Sequence, residues 1–238
     1  LFKNVTVPVI ENASEASPIG ELIKQTYRNL LFVVQNSEYN LAALVISTFL
    51  IIYALDSLVY EHHLASSYQI NEEGCGAELL LRLASIPFLV SLLPRFLFTQ
   101  NVQVCSCALA AIGLFFILGL VIKRCSNCLK YEYHLHPSDP KFKDLITLPT
   151  FQNRRLIISR WWSKIRQPNL FGEILIHTAF LLTLAYKFDL ASFIGIIAIL
   201  AYLIYRSVGI NRKNALKYES SWARYVATIK YNLLPRVY

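Results

Sequence analysis

Residues 102–122, VQVCSCALAAIGLFFILGLVI, contain no charged side chain and stop at Lys123 and Arg124. At about 1.5 Å per helical residue, such a run is long enough to cross the hydrocarbon core of a bilayer. In lipid the backbone must satisfy its own hydrogen bonds, so a spanning run of this kind predicts a helix in a bundle of helices. The rest of the chain agrees. Charged residues make up 16% of the sequence and hydrophobic ones 55%, whereas soluble domains carry about 25% charged residues. The first residues, LFKNVTVPVIENAS, are polar and irregular and do not read as a cleavable signal peptide. The chain lacks Met even at position 1, which is read as a piece of a longer protein with domains upstream.

Four further runs are predicted to cross or enter the membrane. Residues 39–55 lie between Glu38 and Asp56, and residues 79–98 are interrupted by Arg82 and Pro87. Residues 174–186 are short for a span and 190–205 are longer. Only Lys187, Phe188 and Asp189 separate these two, which predicts a helical hairpin. Residues 21–35 read as a half-buried helix. The expected fold class is therefore all-α, a polytopic transmembrane bundle with about five spans. It divides into a polar segment (1–38), the first transmembrane helices (39–122), a basic loop (123–173), the hairpin (174–205) and a basic, aromatic tail (206–238).

Cations give a sidedness. The net charge is +8, with ten Lys and Arg in 123–173 and seven after Tyr205. Lys and Arg gather in loops that stay cytoplasmic, and a hairpin between the two regions returns the chain to the same side. Three spans before Lys123 then put residues 1–38 on the lumenal side. The glycosylation sequons at Asn4 and Asn12 would be accessible there. The acidic stretch 61–78 falls on the cytoplasmic side, against the grain but with little weight on orientation.

Metal chemistry has little support. Cys125 and Cys128 have CxxC spacing, but no second pair completes a zinc site. Cys75, Cys105 and Cys107 make the count odd, against a disulfide framework. The His62–His63 and His134–His136 pairs are weak ligand signals, so no metal is expected.

Two stretches carry more information. In the tail, Leu216, Trp222 and Val226 are expected to share a face toward the bundle, with Lys217 and Arg224 toward water or headgroups. An interfacial helix anchored by aromatics and cations accounts for that pattern. The other stretch is SRWWSKIRQPNLFGE, residues 159–173. Pro168 suits the first turn of a helix. A helix starting there offers free N–H groups and a positive dipole end beside Arg166, which suits an anion such as phosphate. A belt of snorkelling interfacial side chains is the alternative on composition.

The order of these residues resembles a known family: the membrane sterol reductases that act on the C14 or C7 double bond, which includes the lamin B receptor. The family reads roughly G-W-W-x-x-x-R-H-P-N-Y-x-G-D, and this chain keeps Trp161, Trp162, Arg166, Pro168, Asn169 and Gly172. Upstream, RCSNCLKYEYHLHPSDP keeps Arg124, Asn127, Lys130 and the run Pro137 to Pro140 of a second motif. Lys217, Tyr218, Trp222, Tyr225, Pro235 and Tyr238 match a third, and Asp56, followed by Glu61, has a counterpart earlier. The likeness runs from about residue 40 to the end, in order. It implies a fold of about ten helices in which this chain is the C-terminal half.

The resemblance also implies chemistry. Members use NADPH in a pocket on the cytoplasmic side, protonating a sterol double bond and then delivering hydride to the cation. Arg124, Asn127, Lys130, Trp162, Arg166, Asn169 and Arg206 match positions of that pocket. Arg is suited to phosphate, and polar groups orient the nicotinamide. The departures are as pointed. Gln167 stands for His, Leu170 for Tyr, Glu173 for Asp, Arg160 for Gly, and Cys125, Leu129, Tyr131 and His134 break the second motif. After the last span the family has H-R-x-x-R-D-E, where this chain has Tyr205, Arg206, Gly209, Ile210 and Asn211. Losing a desolvated charged contact costs about 2–5 kcal/mol. Several such losses predict NADPH binding weakened by orders of magnitude and a vestigial pocket with its catalytic groups gone.

Three functions follow from the resemblance. The first is a lamin-B-receptor-like protein of the inner nuclear membrane. Its sterol-reductase-like domain is catalytically degenerate, and lamin and chromatin are bound by domains outside this chain, with no nucleic acid bound by this segment. The second is an NADPH-dependent Δ14-type sterol reductase of the endoplasmic reticulum or nuclear envelope. The third is a sterol- or lipid-binding membrane protein without turnover.

Overall fold

A computed structural model describes residues 40–60, 63, 89, 91–150 and 155–234. The sequons, the helix expected over 21–35, Arg82, Pro87, Cys75, Glu61, His62, Pro235 and Tyr238 lie outside the described residues.

The described chain is mainly helical. Helix α1 is Leu41–Val59, α2 is Ser106–Leu135, α3 is Pro168–Thr183 and α4 is Leu190–Thr228, with a further helical stretch over 91–99. Three of these are long and apolar enough to cross a membrane: α1, α2 and α4. Their outward faces carry large apolar side chains, such as Leu114, Ile117, Leu118 and Val121 on α2 and Ile194, Ile197 and Ile204 on α4. A helix that is apolar all round is what a bilayer selects.

The ends of the helices follow from local chemistry. Asn40 starts α1: its side chain accepts from the Ala43 amide at 3.0 Å and donates to the Leu97 carbonyl at 2.8 Å. One buried amide thus caps α1 and ties it to the 91–99 stretch. Pro168 occupies the first turn of α3, as its missing N–H allows. Asp189 caps α4 by accepting from the Ser192 amide at 2.7 Å, and a tight connection joins α3 to α4.

Helices α2 and α3 cross backbone to backbone. A Cβ placed on Gly172 would lie 2.6 Å from the Gly119 carbonyl oxygen, and one on Gly119 would lie 2.7 Å from the Gly172 carbonyl oxygen. Only glycine at both positions permits this approach, the small-residue contact by which membrane helices pack closely. The core around it includes Ile46 and Leu50 of α1, Phe116 of α2, Ile176 and Phe180 of α3, and Ile196 and Ile199 of α4.

Other features depart from the expected layout. α2 continues through Lys123 and Arg124 to Leu135, so the basic stretch begins as a helix. A short antiparallel ribbon pairs β1 (Thr147–Pro149) with β2 (Arg155–Ile157). α4 runs unbroken from the apolar span into the tail, except at Glu219, whose φ of 44° and ψ of −119° kink it. The kink corrects one expectation. Leu216 is 80% exposed, whereas Trp222 and Tyr225 beyond the kink are buried against Leu148, Leu156 and Ile158 near the ribbon. Helical spacing cannot be carried through a residue that leaves the helical path.

Candidate functional site

Two polar regions sit at the end of the bundle where α2 leaves its apolar run. The first is built on the glycine crossing. Because α2 and α3 touch at Gly119 and Gly172, the next residues on each face one another. Lys123 Nζ is 2.9 Å from Glu173 Oε1 and 3.9 Å from Asp56 Oδ2. Tyr53 donates its hydroxyl to Glu173 Oε2 at 2.8 Å, and Lys123 sits 4.2 Å above the Tyr53 ring. Arg124 Nε donates to Asp56 Oδ1 at 3.0 Å, and Nη2 donates to the Asp56 carbonyl at 3.0 Å and pairs closely with the same Oδ1. The guanidinium also stacks 3.1 Å from the centroid of the Tyr60 ring. Two cations and two carboxylates from three helices thus form a balanced and largely buried network.

The second region lies where α3 begins. Arg166 Nη1 donates to Asn211 Oδ1 at 3.0 Å, Nη2 to the Lys230 carbonyl at 3.0 Å and Nε to the Tyr231 carbonyl at 3.4 Å. The backbone amides of Arg166 and Gln167 donate to the carbonyls of Tyr231 and Asn232 at 3.0 and 3.1 Å. Gln167 Nε2 donates to the Ser207 carbonyl at 2.8 Å and to Asn232 Oδ1 at 3.3 Å, and Asn232 Nδ2 donates to Ser207 Oγ at 3.3 Å. Gln167, Ser207 and Asn232 are buried. The segment 229–234 is thereby strapped across the start of α3 by neutral amides and one guanidinium.

The structure distributes the expected site residues among several places. Arg124 belongs to the network at the crossing. Asn127 is half-buried one turn further along α2, and Lys130 is exposed beyond it, within the electrostatic reach of Arg206 and Lys217 of α4. Trp162 sits in a short 3-10 turn, Arg160–Ser163, and packs beside Leu129, Phe142 and Ile157. Its indole N–H is buried without an acceptor among the described residues. Asn169 is half-buried in the first turn of α3. Lys130 thus lies within electrostatic reach of Arg206 and Lys217, and Arg166 is joined to Asn211. Gly209 has nothing within 4 Å of where a Cβ would stand, so no packing requires glycine there. Cys125 and Cys128 are free thiols, and no cluster of three metal-ligating side chains occurs among the described residues.

Sequence reasoning missed Lys123, Tyr53 and His177. His177 is buried on α3, and the signal that could have found it is a titratable residue inside an apolar run, which is uncommon in a membrane helix and marks function by default.

Residues 30–238 match the Ergosterol biosynthesis ERG4/ERG24 family. The Lamin-B receptor of Drosophila melanogaster is 36% identical over 204 residues, which cover 85% of this chain and 28% of that protein. The Delta(14)-sterol reductase TM7SF2 of Mus musculus is 29% identical over 91% of this chain and 53% of its own length. The Delta(14)-sterol reductase erg24 of Schizosaccharomyces pombe is 31% identical over 78% of this chain and 44% of its own length. The chain thus spans about half, or less, of the relatives it matches.

Proposed function

Because the chain belongs to the Ergosterol biosynthesis ERG4/ERG24 family, we propose that it is the sterol-reductase-like membrane domain of a lamin-B-receptor-like protein. On this reading it is catalytically degenerate and anchors lamina and chromatin to the inner nuclear membrane through domains outside this chain. Lys123 and the tail of α4 face the cytoplasmic or nuclear side. Helices suited to a membrane and the relatives together make it an integral membrane protein. The 36% identity to a lamin-B receptor favours the anchoring reading over a purely metabolic one.

One observation carries the loss of turnover. Two cations that would have to meet the phosphates of NADPH already serve internal partners. Arg124 is paired with Asp56, and Arg166 is bonded to Asn211 and two backbone carbonyls. The donor set therefore fits NADPH poorly. The gathering of Lys130, Arg206 and Lys217 favours the second reading, an NADPH-dependent Δ14-type sterol reductase, because three neighbouring cations attract a phosphate.

The test is NADPH binding to the full-length protein in detergent, beside an active family member. Absence of binding at millimolar NADPH by folded protein is expected. Restoring charge with Gly209→Arg, Ile210→Asp and Asn211→Glu together should raise the affinity. Micromolar binding by the natural sequence would establish the reductase reading instead.

A further inference from the structure

His177 lies nine residues into α3, about 14 Å along the helix from Pro168, within an apolar run. It is 3% exposed. Its Nδ1 is 2.9 Å from the carbonyl oxygen of Glu173. A carbonyl only accepts, so Nδ1 carries the proton. In the neutral ring, Nε2 is then a bare acceptor. That Nε2 is buried and has no partner among the described residues. An acceptor left unmade in an apolar interior is costly, most of all within a membrane.

What surrounds Nε2 defines its complement. The rings of Tyr53 and Phe180 meet the imidazole edge-on, each with centroids 6.1 Å away at near-perpendicular angles. Phe180 continues into Phe116 at 6.0 Å, and Phe116 stacks on Phe49 at 4.5 Å. Phe49 and Tyr53 are only partly buried, so this row of aromatic faces is not sealed at α1. The Tyr53 hydroxyl donates to Glu173. A ligand suited to this place has an apolar, flat-faced body that partitions into lipid and one neutral O–H to donate.

We propose that His177, beside Tyr53, is the seat for the hydroxyl of a membrane-soluble alcohol of the sterol class. The class rests on the sterol-reductase-like reading above; the seat rests on the orphaned acceptor and its aromatic walls. His177 is a binding residue here, and no turnover is required of it.

The experiment measures binding of tritiated cholesterol and of tritiated cholestene, which lacks only the hydroxyl, to the full chain in nanodiscs. One buried hydrogen bond should make cholesterol the tighter ligand by about tenfold. His177→Phe keeps a ring and removes the acceptor. It should bring the ratio below about twofold and leave cholestene binding unchanged. Equal binding of both ligands by the natural protein, or a tenfold ratio that survives His177→Phe, overturns the seat while the sterol reading stands. Failure of folded protein to bind either ligand overturns the sterol reading as well. Should His177→Phe not fold, 15N NMR of labelled histidine in the natural protein decides. Cholesterol should move the Nε2 resonance and cholestene should not; no movement with cholesterol overturns the seat.

Discussion

The two polar regions solve opposite problems with different chemistry. At the glycine crossing, Lys123 and Arg124 meet Glu173 and Asp56, so charge is cancelled by charge between three helices. At the start of α3, a single guanidinium and the amides of Gln167, Asn211 and Asn232 bond to carbonyls and to one another. A balanced ionic network suits a place that stays dry and must hold helices together. Neutral amides suit a junction where a strap lies over a helix start, because their desolvation cost is small beside that of an ion. The comparison shows how a basic motif can change use. A cation beside carboxylates or carbonyls has its field spent locally, whereas Lys130 feels the like charges of Arg206 and Lys217.

The two regions should respond differently to truncation. The largest effect is expected at Glu173→Ala, which leaves Lys123 with the longer contact to Asp56 and the Tyr53 ring. Removing one partner of a buried pair costs about 3–5 kcal/mol, read as a lowered thermal midpoint in nanodiscs. Gly172→Ala should follow, at about 1–3 kcal/mol, because the new methyl meets backbone on α2 that cannot move aside. Asn232→Ala should cost about 1 kcal/mol, because Gln167 and Ser207 each lose one bond and keep another. A greater loss at Asn232 than at Glu173 would reverse the comparison and make the strap the main fastening. The smallest effect has the opposite sign. Gly209→Ala should stabilise α4 by about 0.5–1 kcal/mol, since nothing crowds that position and alanine favours the helix. A loss there would mean that the glycine serves a contact outside the described residues.

The spans were legible because hydropathy and charge boundaries depend on single residues and their neighbours. The uncharged run ending at Lys123 became a helix, and Pro168 became the first turn of another. The partners were not legible. Arg124 reads as a cofactor cation, yet its partner Asp56 lies 68 positions away on another helix, and no local pattern joins the two. Leu216 failed for a local reason: periodicity assumes one axis, and Glu219 introduces a second. The ribbon of three-residue strands is too short to imprint an alternation. His177 stayed hidden within an apolar run, where a single polar residue barely alters the hydropathy.

The contact between Gly119 and Gly172 also limits how α3 can move. Sliding it along α2 by one residue would drive a side chain, Phe171 or Glu173, into the place where backbone now meets backbone. Translation is therefore blocked, while rocking about the contact is not. The glycine pair acts as the fulcrum of a lever. The lysine–glutamate pair lies close to it, and His177 stands one turn and more out on the arm, so a small tilt of α3 moves the histidine further than it moves the ion pair.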